Sequence, residues 1–155
     1  MSGKAVVARY FEALDAGDPG VIPELFAEDC RIYRPELPEP LVGSRAVQLV
    51  VTMAHQIYQS FRTTVLDLVE DGDVVVMRHR HDAVYRGDWR TRIGTFAVAG
   101  RPTSWEAMAL FRLRDGRIVE ERVFRDELGM LLDVGVIGPG KGAAPTPGDP
   151  SQRRS

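Results

Sequence analysis

Apolar residues in the first 60 positions recur every three or four residues, which is the spacing of amphipathic helices. The pattern predicts a first helix over residues 4–16, ending at Gly17, and a short second helix over residues 19–27. A third helix is predicted from Ser44, as its N-cap, to about residue 60. We therefore expect the N-terminal part of the chain to be mainly helical.

The segment between the second and third predicted helices lacks helical spacing. Residues 30–33 predict a short strand. The following segment, RPELPEPLVG, has prolines at positions 35, 38 and 40, which predicts an irregular loop.

After about residue 61 the apolar pattern changes from helical spacing to alternation, which is typical of half-buried strands. The alternation predicts strands over residues 62–70, 74–85, 103–114 and 117–125. It also favours a further strand over residues 89–98. Asp71-Gly72-Asp73 and Asp115-Gly116 predict tight turns between neighbouring strands. A short apolar helix is expected after Asp126.

Three helices followed by a run of strands predict an α+β fold. We expect a curved mixed or antiparallel sheet that forms a cone, covered by the three N-terminal helices around an apolar pocket. The predicted domain spans residues 1–137, and the Gly/Pro-rich residues 138–155 are expected to be a disordered tail.

Composition and charge narrow the range of partners. The formal net charge is −2 and charges of both signs are interleaved, so no basic surface for nucleic acid is expected. No apolar run is long enough to cross a membrane, and the N-terminus has no signal-peptide pattern, so a cytoplasmic protein is expected. The single cysteine, Cys30, excludes an internal disulfide.

The last predicted strand carries the charged residues of greatest interest. Regular alternation places Arg122, Phe124 and Asp126 on one face together with Ile118 and Glu120. Two interpretations remain open for this face. Arg122 and Asp126 form a coupled pair in a cavity, or they belong to an exposed ladder of charges that contributes little energy.

The strand over residues 74–85 places His79, His81 and Tyr85 on one face. Two histidines on a strand can bind a metal, but a third ligand is needed and His55 is the one histidine left. We therefore predict no metal and interpret these side chains as pocket residues. His55 lies on the third predicted helix near Met53 and either lines the pocket or lies on the helix surface.

The strand over residues 103–114 is apolar on both faces around Ala107–Leu110. One face is expected to pack on the helices, and the other to pack on the sheet of a second subunit. We therefore predict a homodimer or homotetramer.

Nucleotide-binding and hydrolase motifs such as G-x-G-x-x-G and G-x-S-x-G are absent. Five stretches of the sequence, taken in order, resemble one family. The chain resembles the SnoaL-like polyketide cyclases, a branch of the nuclear-transport-factor-like α+β cone superfamily, over roughly residues 4–137. The stretches are YFEALDAGD, LFAEDCRIYRP, GSRAV, EDGDVVVMRHR and ALFRLRDGRIVEERVFRDELGMLLDVG.

The resemblance implies a cofactor-independent cyclase that closes a ring of a hydrophobic polycyclic or polyketide-like substrate by intramolecular aldol condensation. Asp126, which precedes the L-G-x-L-x-x-x-G segment, is then the expected catalytic acid/base. The remaining predicted substrate-binding residues are Arg122, His81, His79, Tyr85, His55, Trp105, Phe124, Tyr33 and Met53.

Three departures from the family pattern keep other functions open. Arg122 stands where the family often has Trp, Tyr85 where it often has His, and Arg62-Thr63 where it commonly has Pro-Asp. Arg122 could hold Asp126 ionised, or it could stabilise a developing enolate. The alternatives are a SnoaL-like hydroxylase, an epoxide hydrolase or isomerase in the same cavity, and a non-catalytic small-molecule-binding module.

Overall fold

The computed structural model describes residues 1–138 of the 155-residue chain. The predicted tail over residues 138–155 therefore lies outside the described residues, except for its first position. The described part contains, in order, α1 (Gly3–Ala16), α2 (Ile22–Leu25), β1 (Phe26–Tyr33), β2 (Leu41–Val42), α3 (Ser44–Ile57), β3 (Tyr58–Asp71), β4 (Val74–Tyr85), β5 (Trp89–Thr91), β6 (Gly94–Phe96), β7 (Pro102–Arg114), β8 (Arg117–Arg125) and α4 (Glu127–Asp133). Within residues 1–138, every helix is too short or too polar to cross a bilayer.

Six strands form one curved sheet that does not close into a barrel. The strand order is β2-β1-β8-β7-β4-β3, and β1 and β8 are parallel while the other neighbours are antiparallel. The helices α1 and α3 pack against strands of this sheet. The predicted α+β fold, with a mixed curved sheet and three N-terminal helices, is confirmed.

The short elements differ from the sequence prediction in three places. The segment predicted as an irregular loop, residues 34–43, contains the short strand β2, which pairs with β1. The second helix is one turn, because Phe26 pairs with Ile118 and so already belongs to the extended strand β1. The strand predicted over residues 89–98 is instead a separate hairpin of β5 and β6.

Glycines end one helix and begin another. Gly17 has a φ of 67°, and its backbone N–H donates to the carbonyl groups of Ala13 and Leu14 at the end of α1, as predicted. Gly43, with a φ of 93°, precedes α3 and is its N-cap residue. The prediction of Ser44 as the N-cap is therefore wrong, since Ser44 is already the first helical residue.

The apolar core has two parts along the sheet. One part includes Tyr10 and Phe26, whose rings meet edge to face with centroids 4.8 Å apart, beneath α1. The other part contains Tyr58, Trp105 and Met130, and it joins α4 to β3 and β7. Buried polar side chains lie beside these two parts of the core, and these polar side chains form the candidate site.

An irregularity in β8 reverses which residues face the interior. Ile118 pairs with Leu113 and is buried, but the next pair joins Glu120 to Arg112, so Val119 is an extra residue. After this point the odd-numbered residues face inward, and Glu121 is buried. The prediction that Ile118 shares a face with Arg122 and Phe124 is therefore wrong, because the extra residue shifts the alternation by one.

Candidate functional site

Two histidines of β4 lie in the interior of the sheet, as the alternation of β4 predicts. His79 is 1% exposed and His81 is 7% exposed. Burial lowers the pKa of His79 to about 4, and burial together with the neighbouring His79 lowers the pKa of His81 to about 2. Both imidazoles are therefore neutral at neutral pH.

His81 is held by groups from two other elements. Its Nδ1 atom lies 3.1 Å from the Thr63 hydroxyl on β3, which donates to the Asp15 carboxylate of α1 at 2.6 Å. The Thr63 backbone N–H also donates to Asp15, at 2.9 Å. These contacts fix the orientation of the imidazole relative to α1.

Glu121 places a carboxyl group deep in the interior, with 1% of the residue exposed. Burial raises its pKa to about 7, although the Arg34 guanidinium and the Tyr10 hydroxyl act in the opposite direction. A carboxyl group with this pKa exchanges a proton readily near neutral pH.

Ion pairs connect the loop after β1 to the end of β8. Arg34 Nε donates to Glu36 Oε1 at 2.7 Å, and Glu36 Oε2 lies 3.6 Å from Arg125 Nη2. Arg125, whose side chain is 8% exposed, also pairs through Nε with Glu127. Burial would raise the pKa of Glu36, but the guanidinium groups of Arg34 and Arg125 lower it below its ordinary value.

Several buried polar atoms in the described residues have no hydrogen-bond partner within the protein. An unpartnered buried polar atom is costly, so a group of them is typical of a site that water or a ligand completes. These atoms are Glu36 Oε2, His79 Nδ1, Tyr85 Oη, Thr103 Oγ1 and Glu121 Oε2.

Aromatic rings surround the His81 imidazole. Phe61 stacks on His81 with ring centroids 4.7 Å apart, and Trp105 lies 5.1 Å from the same imidazole. An open groove of about 630 Å³ lies beside them, lined in part by Phe61, Thr103 and, on α4, Asp133. The site can therefore offer apolar surface together with neutral and charged hydrogen-bonding groups.

The amino-acid sequence matches one known family. The sequence profile of the SnoaL-like domain matches residues 7–121. The chain belongs to the SnoaL-like family. The profile match ends at Glu121, before Asp126.

Solved structures from bacteria resemble this SnoaL-like chain. IdmH from Streptomyces antibioticus, a proposed polyketide cyclase, is 25% identical, and the likeness covers 86% of this chain and 99% of IdmH with a TM-score of 0.72. AclR from Streptomyces galilaeus, a proposed hydroxylase, is 18% identical over 87% of this chain and 96% of its own, with a TM-score of 0.71. A Catenulispora acidiphila protein with a ketosteroid isomerase-like fold, in complex with trimethylamine, is 15% identical over 86% of this chain and 97% of its own, with a TM-score of 0.70. At these low identities, the similarity to the last two structures shows the fold alone. A comparison with curated proteins found no match.

Asp126 lies where β8 meets α4 in this SnoaL-like chain. Its carboxylate is exposed and accepts a hydrogen bond from the Gly129 N–H at 2.9 Å, so it caps α4. A Cβ at position 129 would meet this carboxylate, so a side chain there would displace the cap. The catalytic role of Asp126 stays a prediction.

Four of the predicted pocket residues lie away from the interior groups. The Arg122 guanidinium lies 3.9 Å above the centroid of the Tyr33 ring and pairs with Glu120. Phe124 is 72% exposed and Met53 is 50% exposed. The structure therefore does not bring Arg122, Phe124, Tyr33 and Met53 together with the two buried histidines.

The other predicted pocket residues are nearer the interior of the SnoaL-like domain. Tyr85 and Trp105 are buried and belong to the same apolar group, whereas His55 Nε2 contacts the carbonyl oxygen of Leu14 at 2.9 Å. Among residues 1–138, no group of three or more His, Cys, Asp or Glu side chains is placed to hold a metal ion.

Sequence reasoning missed six of the interior groups. Glu121 and Arg125 were assigned to the opposite face of β8, and Arg34 and Glu36 lie in the loop that the prolines indicated. Asp15 and Thr63 had no distinguishing pattern, because 48 positions separate them along the chain. The one local signal was Arg34 and Glu36, an oppositely charged pair two positions apart directly after β1.

Proposed function

We propose that the chain is a cofactor-independent cyclase that closes a ring of a polyketide-like carbonyl compound by intramolecular aldol condensation. Membership of the SnoaL-like family and the likeness to IdmH support this reaction class. The observation that carries the proposal is the buried Glu121 carboxyl, which has a pKa of about 7, lies near the Tyr10 hydroxyl and the Arg34 guanidinium, and has an unpartnered Oε2 atom.

The reaction requires a base, an acid and a shaped cavity. The base removes a proton from a carbon that lies between carbonyl groups, and the resulting enolate carbon attacks a carbonyl carbon of the same molecule. A new carbon–carbon bond forms, and the alkoxide oxygen takes a proton from the acid. The guanidinium groups of Arg34 and Arg125 supply positive charge that favours the enolate, and the aromatic walls favour a folded substrate.

Two carboxyl groups are candidates for the acid/base. The family resemblance points to Asp126, whereas burial and the raised pKa favour Glu121. We propose that Glu121 is the acid/base inside the sheet and that Asp126 begins α4 at the edge of the site. This assignment departs from the role that the resemblance implies for Asp126.

A turnover assay with three matched variants tests the proposal. The purified protein is incubated with a linear polyketide ester that already carries one aromatic ring, and ring closure is followed by chromatography and mass spectrometry. We expect Glu121→Gln to lose turnover by about 100-fold or more, the usual contribution of a general acid or base. Glu120→Gln, the same substitution on the neighbouring outward residue, should retain turnover.

The third variant separates the two carboxyl groups. Asp126→Asn keeps a residue that caps helices well, so it should retain both the fold and most of the turnover. Loss of turnover in Asp126→Asn with full activity in Glu121→Gln would reassign the acid/base to Asp126. Absence of any ring closure by the unmodified protein, with several such esters, would refute the cyclase.

A specific arrangement favours epoxide hydrolysis as the second candidate. Glu36, Arg125 and Glu127 form a carboxylate–guanidinium–carboxylate row, and such a row can orient and activate a water molecule. Aldol ring closure leaves the substrate mass unchanged, or lowers it by one water molecule once the ring dehydrates, whereas epoxide opening by water adds the mass of one water molecule. Mass spectrometry of products from an aryl epoxide and from the polyketide ester distinguishes the two reactions.

We also propose that two chains pair through the outer face of the sheet. Met108 of β7 and Phe124 of β8 are direct neighbours in the register and are 49% and 72% exposed. Large apolar side chains that adjoin on a sheet face are typical of a subunit contact.

A further inference from the structure

The contact between His81 and Thr63 determines which imidazole nitrogen carries the proton. The Thr63 hydroxyl has one hydrogen, and its 2.6 Å distance to Asp15 Oδ1 is that of a hydroxyl donating to a carboxylate. The hydroxyl oxygen can then only accept from His81 Nδ1, 3.1 Å away. In a neutral imidazole one nitrogen is a donor and the other an acceptor, so Nε2 is left as an acceptor.

The surroundings of His81 keep the ring neutral. Phe61 on β3 and Trp105 on β7 contact its faces, and Phe11 on α1 lies 6.3 Å away with nearly parallel planes. The charged and titratable groups that act on it are His79 on its own strand, Arg34 after β1 and Arg125 on β8, and all three disfavour a second proton. The Asp15 carboxylate acts through Thr63, which lies between it and the imidazole.

The acceptor nitrogen of His81 has no intramolecular use in the described part of the chain. Within residues 1–138, Nε2 makes no side-chain hydrogen bond, yet it is not one of the fully buried unpartnered atoms. Two neighbours of His81 in the register, Thr63 and Trp105, each lie two positions from a residue that lines the open groove, Phe61 and Thr103 respectively. Phe61, whose ring stacks on the His81 imidazole, itself lines the groove, so the groove adjoins this side chain.

We propose that Asp15 and Thr63 are positioning residues that hold His81 as the neutral Nδ1–H tautomer, so that Nε2 accepts a hydrogen bond from a hydroxyl group of an aromatic ligand. The ligand class is an uncharged phenol or enol, since a neutral acceptor between aromatic rings selects a neutral donor on a flat, apolar body. The identity of the ligand rests on the proposed function, but the tautomer does not.

Nitrogen-15 NMR of the imidazole groups tests the tautomer directly. In the unmodified protein, His81 Nδ1 should carry the proton near neutral pH. Thr63→Val removes the hydroxyl at nearly constant volume and should abolish the preference for the Nδ1–H form. Thr63→Ser should restore it, and Thr64→Val, the same substitution at the next position of β3, should leave it unchanged.

A pair of probes tests the ligand. 1-Naphthol and 1-methoxynaphthalene have the same ring system, and only the first can donate a hydrogen bond. We expect the unmodified protein to bind 1-naphthol about fivefold to tenfold more tightly, which is the usual contribution of one hydrogen bond. Thr63→Val and His81→Phe should reduce this ratio to about one, while Thr63→Ser should keep most of it.

The outcomes distinguish this inference from the proposed function. A proton on Nε2 in the unmodified protein overturns the positioning role of Asp15 and Thr63, whether or not rings are closed. Equal affinity for the two probes, or binding of neither, overturns the assignment of the ligand. A protein with the Nδ1–H tautomer and the expected probe preference that closes no ring keeps this inference and loses the cyclase.

Discussion

Glu121→Gln should remove a pH-dependent loss of stability. The folded protein raises the pKa of the Glu121 carboxyl from 4.5 to about 7, chiefly because the group is buried. Above pH 4.5 the unfolded chain ionises this group while the folded protein keeps it protonated. The free energy of unfolding therefore falls as the pH rises from about 4.5 to about 7, and it falls no further above that pH.

The size of the effect follows from the same two pKa values. A tenfold change in an equilibrium constant corresponds to about 1.4 kcal/mol, so the full difference amounts to about 3 kcal/mol. Gln is neutral at every pH and close in volume, so the variant should lack this loss. Between about pH 5 and about pH 8, the unmodified protein should lose more than about 2 kcal/mol relative to Glu121→Gln.

Urea unfolding of both proteins across this range measures the difference. The fluorescence of Trp89 and Trp105, both buried, reports the transition. The quantity compared is the difference in the free energy of unfolding between the two proteins. Contributions of other titrating groups, such as His79, are the same in both proteins and cancel. Glu120→Gln, at the neighbouring outward position, should follow the unmodified protein. A constant difference between the unmodified protein and Glu121→Gln from about pH 5 to about pH 8 would refute the reasoning.

Three further predictions concern other contacts. Asp126→Ala removes the acceptor for the Gly129 N–H and should lower the free energy of unfolding by about 1 kcal/mol in urea, whereas an equal loss in Asp126→Asn would argue against a capping role. Phe124→Asp should convert the proposed dimer into monomers in sedimentation experiments, and an unmodified protein that is already monomeric would contradict that pairing. Burial lowers the pKa of His79 to about 4, so stability should be lost as the pH falls from about 6.5 toward 4, and His79→Phe should flatten the dependence of Tm on pH there.

The sequence predicted the face of β4 correctly because that strand alternates without interruption. His79, His81 and Tyr85 all face the interior, as their even spacing indicates. On β8 the same rule failed, because Ile118 and Val119 are both apolar and either could face the core. A bulge adds a residue without changing the local composition, so periodicity alone does not detect it.

The remaining site residues meet only through the tertiary fold. The prolines correctly indicated a loop after β1, and loops are usually exposed, so Arg34 and Glu36 attracted no functional interpretation. Arg125, which pairs with Glu36, is about 90 positions away, and its inward orientation depends on the bulge. Likewise, nothing in the spacing of Asp15 and Thr63 predicts that α1 lies across β3.

The extra residue in β8 also sets the rules for redesigning this strand. Before the extra residue, the inward position that should be sensitive to substitution is the even position 118. After it, the sensitive positions should be the odd ones, 121, 123 and 125. A residue copied from a relative whose strand alternates regularly would arrive on the wrong side of the sheet. Transplanting a catalytic group into β8 therefore requires alignment by strand pairing to β7, rather than by residue count.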